Sequence, residues 1–275
     1  MRTSSMWIAV IVGLSVASSL VGAGKTRAQG QQATPVMSGA DDLQTELHML
    51  TDVQRQSVDN GQTKAYKAFY KVAPGNPDKK IELGNEFLKQ YPKSPLNEAV
   101  DVGLTNAYYA KQDWNDFYSA ADQALALNPN EVDILTTVGW VIPHEYDPNA
   151  ANAEQLLDKA ESDEKHALDL LAKMPKPKGV SDTEFAALKA QKEQQAHSAL
   201  GLVYFRRGDY ANSVNELQQS TKETTRPDQT DYYVLGVDLQ NLNRKADAAA
   251  AFARCSQMSG PLQSQCQQEA EQEKK

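Results

Sequence analysis

The chain has 275 residues, 40% of them hydrophobic and 23% charged, enough apolar material to bury a sizeable core and too much for disorder throughout. Lys and Arg number 28 against 36 Asp and Glu, a net charge of -8, with the acids spread along the chain. That balance excludes nucleic acid as a partner, since binding it needs a basic footprint to neutralise phosphates.

Residues 1–28 read as an export signal: Arg2 supplies the positive start, residues 7–21 (WIAVIVGLSVASSLV) the apolar run, and small residues follow around Ala23 and Ala28, the two expected cleavage points. The run is shorter than the roughly 20 residues that cross a bilayer and is diluted by Ser and Gly, so an uncleaved N-terminal membrane anchor stands as the alternative. No cysteine lies near the cleavage region, and no Asn-x-Ser/Thr sequon occurs, which favours a bacterial periplasmic protein over a eukaryotic secreted one. Gly24-Lys25-Thr26 imitates the end of a phosphate-binding loop, but the first glycine of that motif would fall on Ser19. Residues 29–40 (QGQQATPVMSGA) lack an apolar period and read as a flexible leader.

Leu43, Leu47, Leu50 and Val53 at helical spacing predict a capping helix over 41–59, ended at Asn60-Gly61. A helix around 64–72 and a second carrying Ile81, Phe87, Leu88, Tyr91 and Pro92 form a first unit near 62–92. A second unit, near 98–131, carries Leu104, Tyr108, Trp114, Ala121, Ala124, Leu125 and Pro129. In the third, near 132–174, Leu135, Val138, Gly139, Trp140 and Ile142 mark one helix, residues 143–149 (PHEYDPN) a long turn, and Ala153, Leu157 and Ala160 a helix whose spacing runs on through Ala167, Leu168, Leu170 and Leu171 to a stop at Met174-Pro175. Ser181 with Glu184 is a capping-box signature that starts the next helix at about Asp182. Both facing helices exceed the repeat by about a dozen residues, roughly 18 Å at 1.5 Å per residue. The expectation is a helical hairpin projecting from the body with its tip near 175–180; the other reading is two long helices tucked against a neighbour.

The last two units, near 182–227 and 229–262, carry the clearest repeat: Leu200-Gly201 and Leu235-Gly236 stand 35 residues apart. Leu200, Gly201, Tyr204, Gly208 and Tyr210 in one, and Tyr232, Leu235, Gly236, Ala248 and Phe252 in the next, resemble the tetratricopeptide (TPR) repeat. The resemblance covers about residues 60–262, with Thr105 and Gln112 replacing the glycines in the second unit and Asn212-Ser213 where the family has alanine. It implies an all-α TPR-type solenoid of antiparallel helix pairs, in which a small residue lets the helices approach while Tyr204, Leu217, Leu239 and Phe252 fill the space. No strand-like alternation competes with it. Residues 263–275 are read as a C-terminal cap and tail.

No set of residues reads as catalytic. His48, His144, His166 and His197 lack zinc-site spacing, and no nucleophile elbow or phosphate loop lies in the mature chain, so no metal or cofactor is expected. His144-Glu145-Tyr146-Asp147 is the one cluster of polar groups, and it reads as a solvated turn; an enzyme reading would place a site around His144, Glu145 and Trp140. Cys255 and Cys266 flank a turn at Ser259-Gly260-Pro261, and either they bridge the last repeat helix to the cap or Cys255 fills a small-residue slot and both thiols stay free.

The resemblance also implies a concave groove lined by the first helix of each pair, where Asn106, Tyr109, Trp140, Leu202, Phe205, Arg206, Tyr233, Val237 and Gln240 fall. Val102, Ser198 and Tyr233 stand where a clamp for a C-terminal carboxylate would need lysines and asparagines. The expected function is therefore a periplasmic or secreted scaffold, not an enzyme, that binds mixed apolar and polar segments of cell-envelope proteins and does not insert into the membrane once the signal is cleaved. The alternative is a permanent structural subunit of an envelope assembly complex.

Overall fold

The computed structural model describes residues 54, 56–177, 179–222 and 228–273, all within the compact unit Ser38–Lys275. The export signal, the leader and nearly all of the capping helix lie outside the described residues. Those described form eleven helices and no strand: α1 (Asn60–Tyr70), α2 (Pro77–Gln90), α3 (Asn97–Lys111), α4 (Trp114–Leu127), α5 (Val132–His144), α6 (Ala153–Lys173), α7 (Asp182–Arg206), α8 (Tyr210–Ser220), α9 (Gln229–Asn241), α10 (Lys245–Ser256) and α11 (Gln263–Gln272).

Asn60-Gly61, expected to stop a helix, instead begins one. Asp59 is its cap, its carboxylate accepting from the Gln62 N–H at 2.8 Å, so a residue pair that usually ends helices sits in a first turn made by the acid before it. Elsewhere the punctuation acts as read. Ser181 and Glu184 form the reciprocal capping box that starts α7. Gln112, Gly208 and Asn243 each close a first helix in the left-handed conformation, with φ of 58°, 74° and 57°.

The last two pairs are each built on a small residue facing a large one 16 positions later. A Cβ on Gly201 would lie 2.5 Å from Leu217, and one on Gly236 2.5 Å from the Phe252 ring. In the second unit the corresponding positions are Thr105 and, 16 residues on, Ala121, both buried. Small residues at these positions let the helix axes come close at interior packing density. Gly201→Val should therefore cost about 1–3 kcal/mol by overpacking, read as a lower melting temperature, and much of that loss should return when Leu217 is cut to Ala in the same chain.

The third unit breaks the spacing. Gly139 faces Glu164, 25 residues on, because the connection between α5 and α6 is longer, and a Cβ on Gly139 would meet the carboxylate at 2.5 Å. Glu164 is 0% exposed and both its oxygens lack a partner. Burial, with Asp163 adding to it, pushes its carboxyl well above the ordinary range and so disfavours the charged form.

The long hairpin divides between the two readings of it. Ala167 and Leu171 are buried on α6 and pack with Val132 and Leu135 at the start of α5, so α6 is tucked in almost to its end. On α7, buried Lys192 reaches Asp133 at 2.7 Å and Gln195 donates to the Thr136 carbonyl at 3.1 Å. Met174 also packs against this cluster, so the overhang is what lies between Met174 and Lys192, about 15 Å along α7 at 1.5 Å per residue. At the other end of the pair, Arg207 ties α7 to α6 through Glu154 at 2.8 Å, Asp158 at 2.5 Å and Glu161.

Candidate functional site

The first helices α3, α5, α7 and α9 carry the nine expected groove residues, and the structure sorts them into three groups. Leu202 and Tyr233 are 2% and 3% exposed and belong to the packing between helices, not to a solvent-facing surface. Tyr233 packs on Phe252, and its hydroxyl accepts from Gln265 of α11 at 2.5 Å. Gln240 is also taken by α11, donating to Glu269 at 3.3 Å and Glu273 at 2.9 Å, while Val237 stays half-buried.

The second group is a connected cluster where α5 and α7 end together. Trp140 is half-buried and stacks on His144 with ring centroids 3.7 Å apart. The His144 Nδ1–H donates to the Trp140 carbonyl at 2.7 Å, which fixes the tautomer and commits that nitrogen. Arg206 spans back from α7, its Nε–H donating to the Pro143 carbonyl at 3.1 Å and so satisfying an orphan acceptor of the last turn of α5. Its guanidinium lies 5.5 Å from the Tyr146 ring and 5.9 Å from the Phe205 ring, within cation–π range. Burial lowers its pKa, and among the described residues no carboxylate pairs with it. A partly desolvated cation walled by aromatic rings is the composition of an interface anchor.

Asn106 and Tyr109 on α3 form the third group. Both are half-exposed, and the Tyr109 ring packs at 6.0 Å on Trp114 and 6.1 Å on Phe117. Burial raises the hydroxyl pKa of Tyr109 and pushes that of Tyr118 up to about 12, with the Glu145 carboxylate adding to both. Glu145 therefore lies within Coulomb reach of the α3–α4 aromatics, and the turn that carries it connects this group to the cluster at Arg206.

The expected turn over 143–149 begins later and is solvated only in part: Pro143 and His144 are the last residues of α5. Glu145 and Asp147 are exposed as expected, but His144 and Tyr146 are half-buried and pack inward. The signal for this lies in an alternating polar and aromatic turn longer than its counterparts, of which the solvated reading accounts for the polar half alone. For proton chemistry the arrangement is unfavourable: the His144 Nε2 is shielded from solvent and lacks a partner, and burial holds the ring toward its neutral form. No group of three or more His, Cys, Asp or Glu among the described residues is arranged to hold a metal ion. Cys255 and Cys266 are joined as a disulfide, with Cα atoms 5.7 Å apart.

No protein-family model matches the chain, and no curated protein sequence does. Among solved structures, a thermophilic TPR protein of Thermus thermophilus is similar at 15% identity and a TM-score of 0.47, over 77% of this chain and 98% of that one. A tetratricopeptide repeat protein from Parabacteroides merdae is similar at 13% identity and a TM-score of 0.36, over 79% and 100%. The fold is a TPR-type helical repeat on its own geometry: helix pairs, the 35-residue step and the small-to-large contact 16 residues on.

Proposed function

We propose that this chain is an exported, non-catalytic scaffold that captures extended segments of cell-envelope proteins across the first-helix face of its second to fourth units. Tyr109, Trp140, Phe205 and Arg206 are the anchors, with Tyr146 completing the wall around the guanidinium. The observation that carries this reading is Arg206: a cation set between two aromatic rings, partly out of water, with no carboxylate of the described chain to pair it. Such a group is costly to bury alone and gains most when a partner supplies polar acceptors and apolar surface together. Export is supported by Arg2 and the apolar run 7–21, and a disulfide near the C-terminus suits an oxidising compartment.

The test is affinity capture from envelope extract with the mature chain and with the Phe205→Ala/Arg206→Ala variant, both checked for native helicity. Partners retained by the native chain and weakened at least about tenfold by the variant, a loss of about 1.4 kcal/mol, are the expected result. Capture of the same partners by both forms rejects the anchor assignment. Stoichiometric association that survives purification of the native chain would favour a permanent subunit over a docking module. N-terminal sequencing of the protein recovered from the periplasm should begin after Ala23 or Ala28.

A further inference from the structure

Helix α11 cannot hold itself in place. Of its ten residues (QSQCQQEAEQ) only Cys266 and Ala270 are buried, at 0% and 6% exposed, and no side chain caps its start. A helix this short is marginal in water without packing, and two small side chains supply little. Its polar attachments among the described residues are the hydrogen bonds from Gln263 to the Ser256 carbonyl at 3.2 Å, from Gln265 to Tyr233, and from Gln240 to Glu269 and Glu273. The turn before it is fixed separately, by Gln229, whose side chain donates to the Met258 carbonyl at 3.0 Å and accepts from the Leu262 N–H at 3.1 Å.

The place α11 occupies is that of a first helix in a further repeat. Ser198 and Tyr233 stand 35 residues apart at the same position of their helices; Ser198 reaches Asp231 on the next first helix, α9, and Tyr233 reaches Gln265 on α11. Where α9 is a 13-residue helix with seven buried residues, α11 has two and a covalent tie.

We infer that α11 is a reducible latch, held over the outer face of the α9–α10 pair by the Cys255–Cys266 disulfide and released from it when that bond is cut. Release adds Tyr233, Val237 and Gln240 to the surface that the first helices present, a consequence that matters for partners only if the proposed function is right; the release itself does not depend on it. The chemistry is thiol–disulfide exchange with a dithiol. One thiolate of the dithiol attacks a cysteine sulfur and displaces the other as a thiolate. The second thiolate of the dithiol then closes its own disulfide and frees the first cysteine, so two electrons and two protons end on Cys255 and Cys266. Both cysteines are 0% exposed, so attack requires α11 to fray first, and its C-terminal half, where Ala270 is the one buried residue after Cys266 among those described, gives that opening.

The test is hydrogen exchange read by mass spectrometry on the whole mature chain, oxidised, reduced with dithiothreitol, and as Cys266→Ala, which removes the bridge without burying a hydroxyl. Exchange across residues 263–272 should rise about a hundredfold in the reduced and variant chains, the scale that a short cross-linked loop implies, while residues 229–256 keep their protection. Persistent protection of 263–272 without the bridge overturns the latch. Equal loss across 229–256 also overturns it, because the bond would then be holding the helix pair itself. Two free thiols in the protein as exported would do the same.

Discussion

Raising the pH from 5 to 8 should lower the unfolding free energy by about 3 kcal/mol or more, on the scale of about 1.4 kcal/mol per unit of pKa difference. Among the described residues four acids are buried within the repeats: Asp101, Glu164, Asp231 and Asp238, none more than 3% exposed. Burial raises all of them, Asp101 to about 6 and Asp231 and Asp238 to about 7, with Asp228 adding to the effect on Asp231. An acid whose folded pKa exceeds its unfolded value keeps its proton in the native state and gives it up on unfolding. The stabilisation is whole below about pH 4, falls as the pH climbs toward 7, and is gone above it. Glu161 acts the other way: hydrogen bonds led by that from Lys165 hold it at about 2, so its contribution is lost as the pH falls from about 4 toward 2. His144 opposes the buried acids within this window, because burial lowers its folded pKa and its contribution grows as the pH rises through the ordinary imidazole range, so the measured fall is that of the acids less this one.

The hydroxyl geometry gives independent support. Ser213 Oγ lies 2.8 Å from the Gly201 carbonyl and 2.5 Å from Asp238, and its one proton cannot serve both oxygens. A protonated Asp238 resolves this, its O–H donating to Ser213 while Ser213 donates to the carbonyl. Urea midpoints at pH 5, 6, 7 and 8 measure the slope, and the Asp231→Asn/Asp238→Asn variant should flatten most of it. An unchanged slope in that variant would mean both groups are ionised in the native chain.

These acids mark where the sequence stopped being readable. The 35-residue step, the paired small and large residues and the Ser181 box are local patterns of one helix pair, and the residues state them directly. The hairpin was half-legible because helical spacing gives length but not which side packs. Apolar periodicity places polar residues outside by default, so the partners of Asp231 and Asp238 were invisible. Yet Ser213 departs from the alanine of the repeat, and the departure is explained by its pairing with Asp238. Glu164 had a clearer signal: it interrupts the stripe Leu157, Ala160, Ala167, Leu171 at the helical step where an apolar residue belongs. At the cluster near Arg206 the missing information was the fold of the long turn, since no local rule brings Tyr146 back over a side chain 60 residues later.

Phe252→Ala should remove about 3–5 kcal/mol, the range for emptying a fully buried aromatic site, and should do so unevenly along the chain. Phe252 is 0% exposed and fills the space beside Gly236, with the Tyr233 ring 5.9 Å from its own. In a repeat stack each unit contacts only its neighbours, so damage in the last pair is felt there first. The fluorophores give the test. Of the three tryptophans, Trp114 and Trp140 pack against the large core cluster that runs from α1 to α7 and includes no residue of α8 to α11, and Trp7 lies in the segment expected to be removed. Circular dichroism follows every helix, whereas tryptophan fluorescence follows only that N-terminal part. In the native chain the two urea transitions should coincide; in Phe252→Ala the dichroism should fall at lower urea than the fluorescence, as α9, α10 and α11 melt ahead of the rest. Coincident transitions in the variant would show a solenoid that folds as one cooperative block, with the buried Ser198–Asp231 and Ser213–Asp238 pairs coupling the last repeat to the one before it.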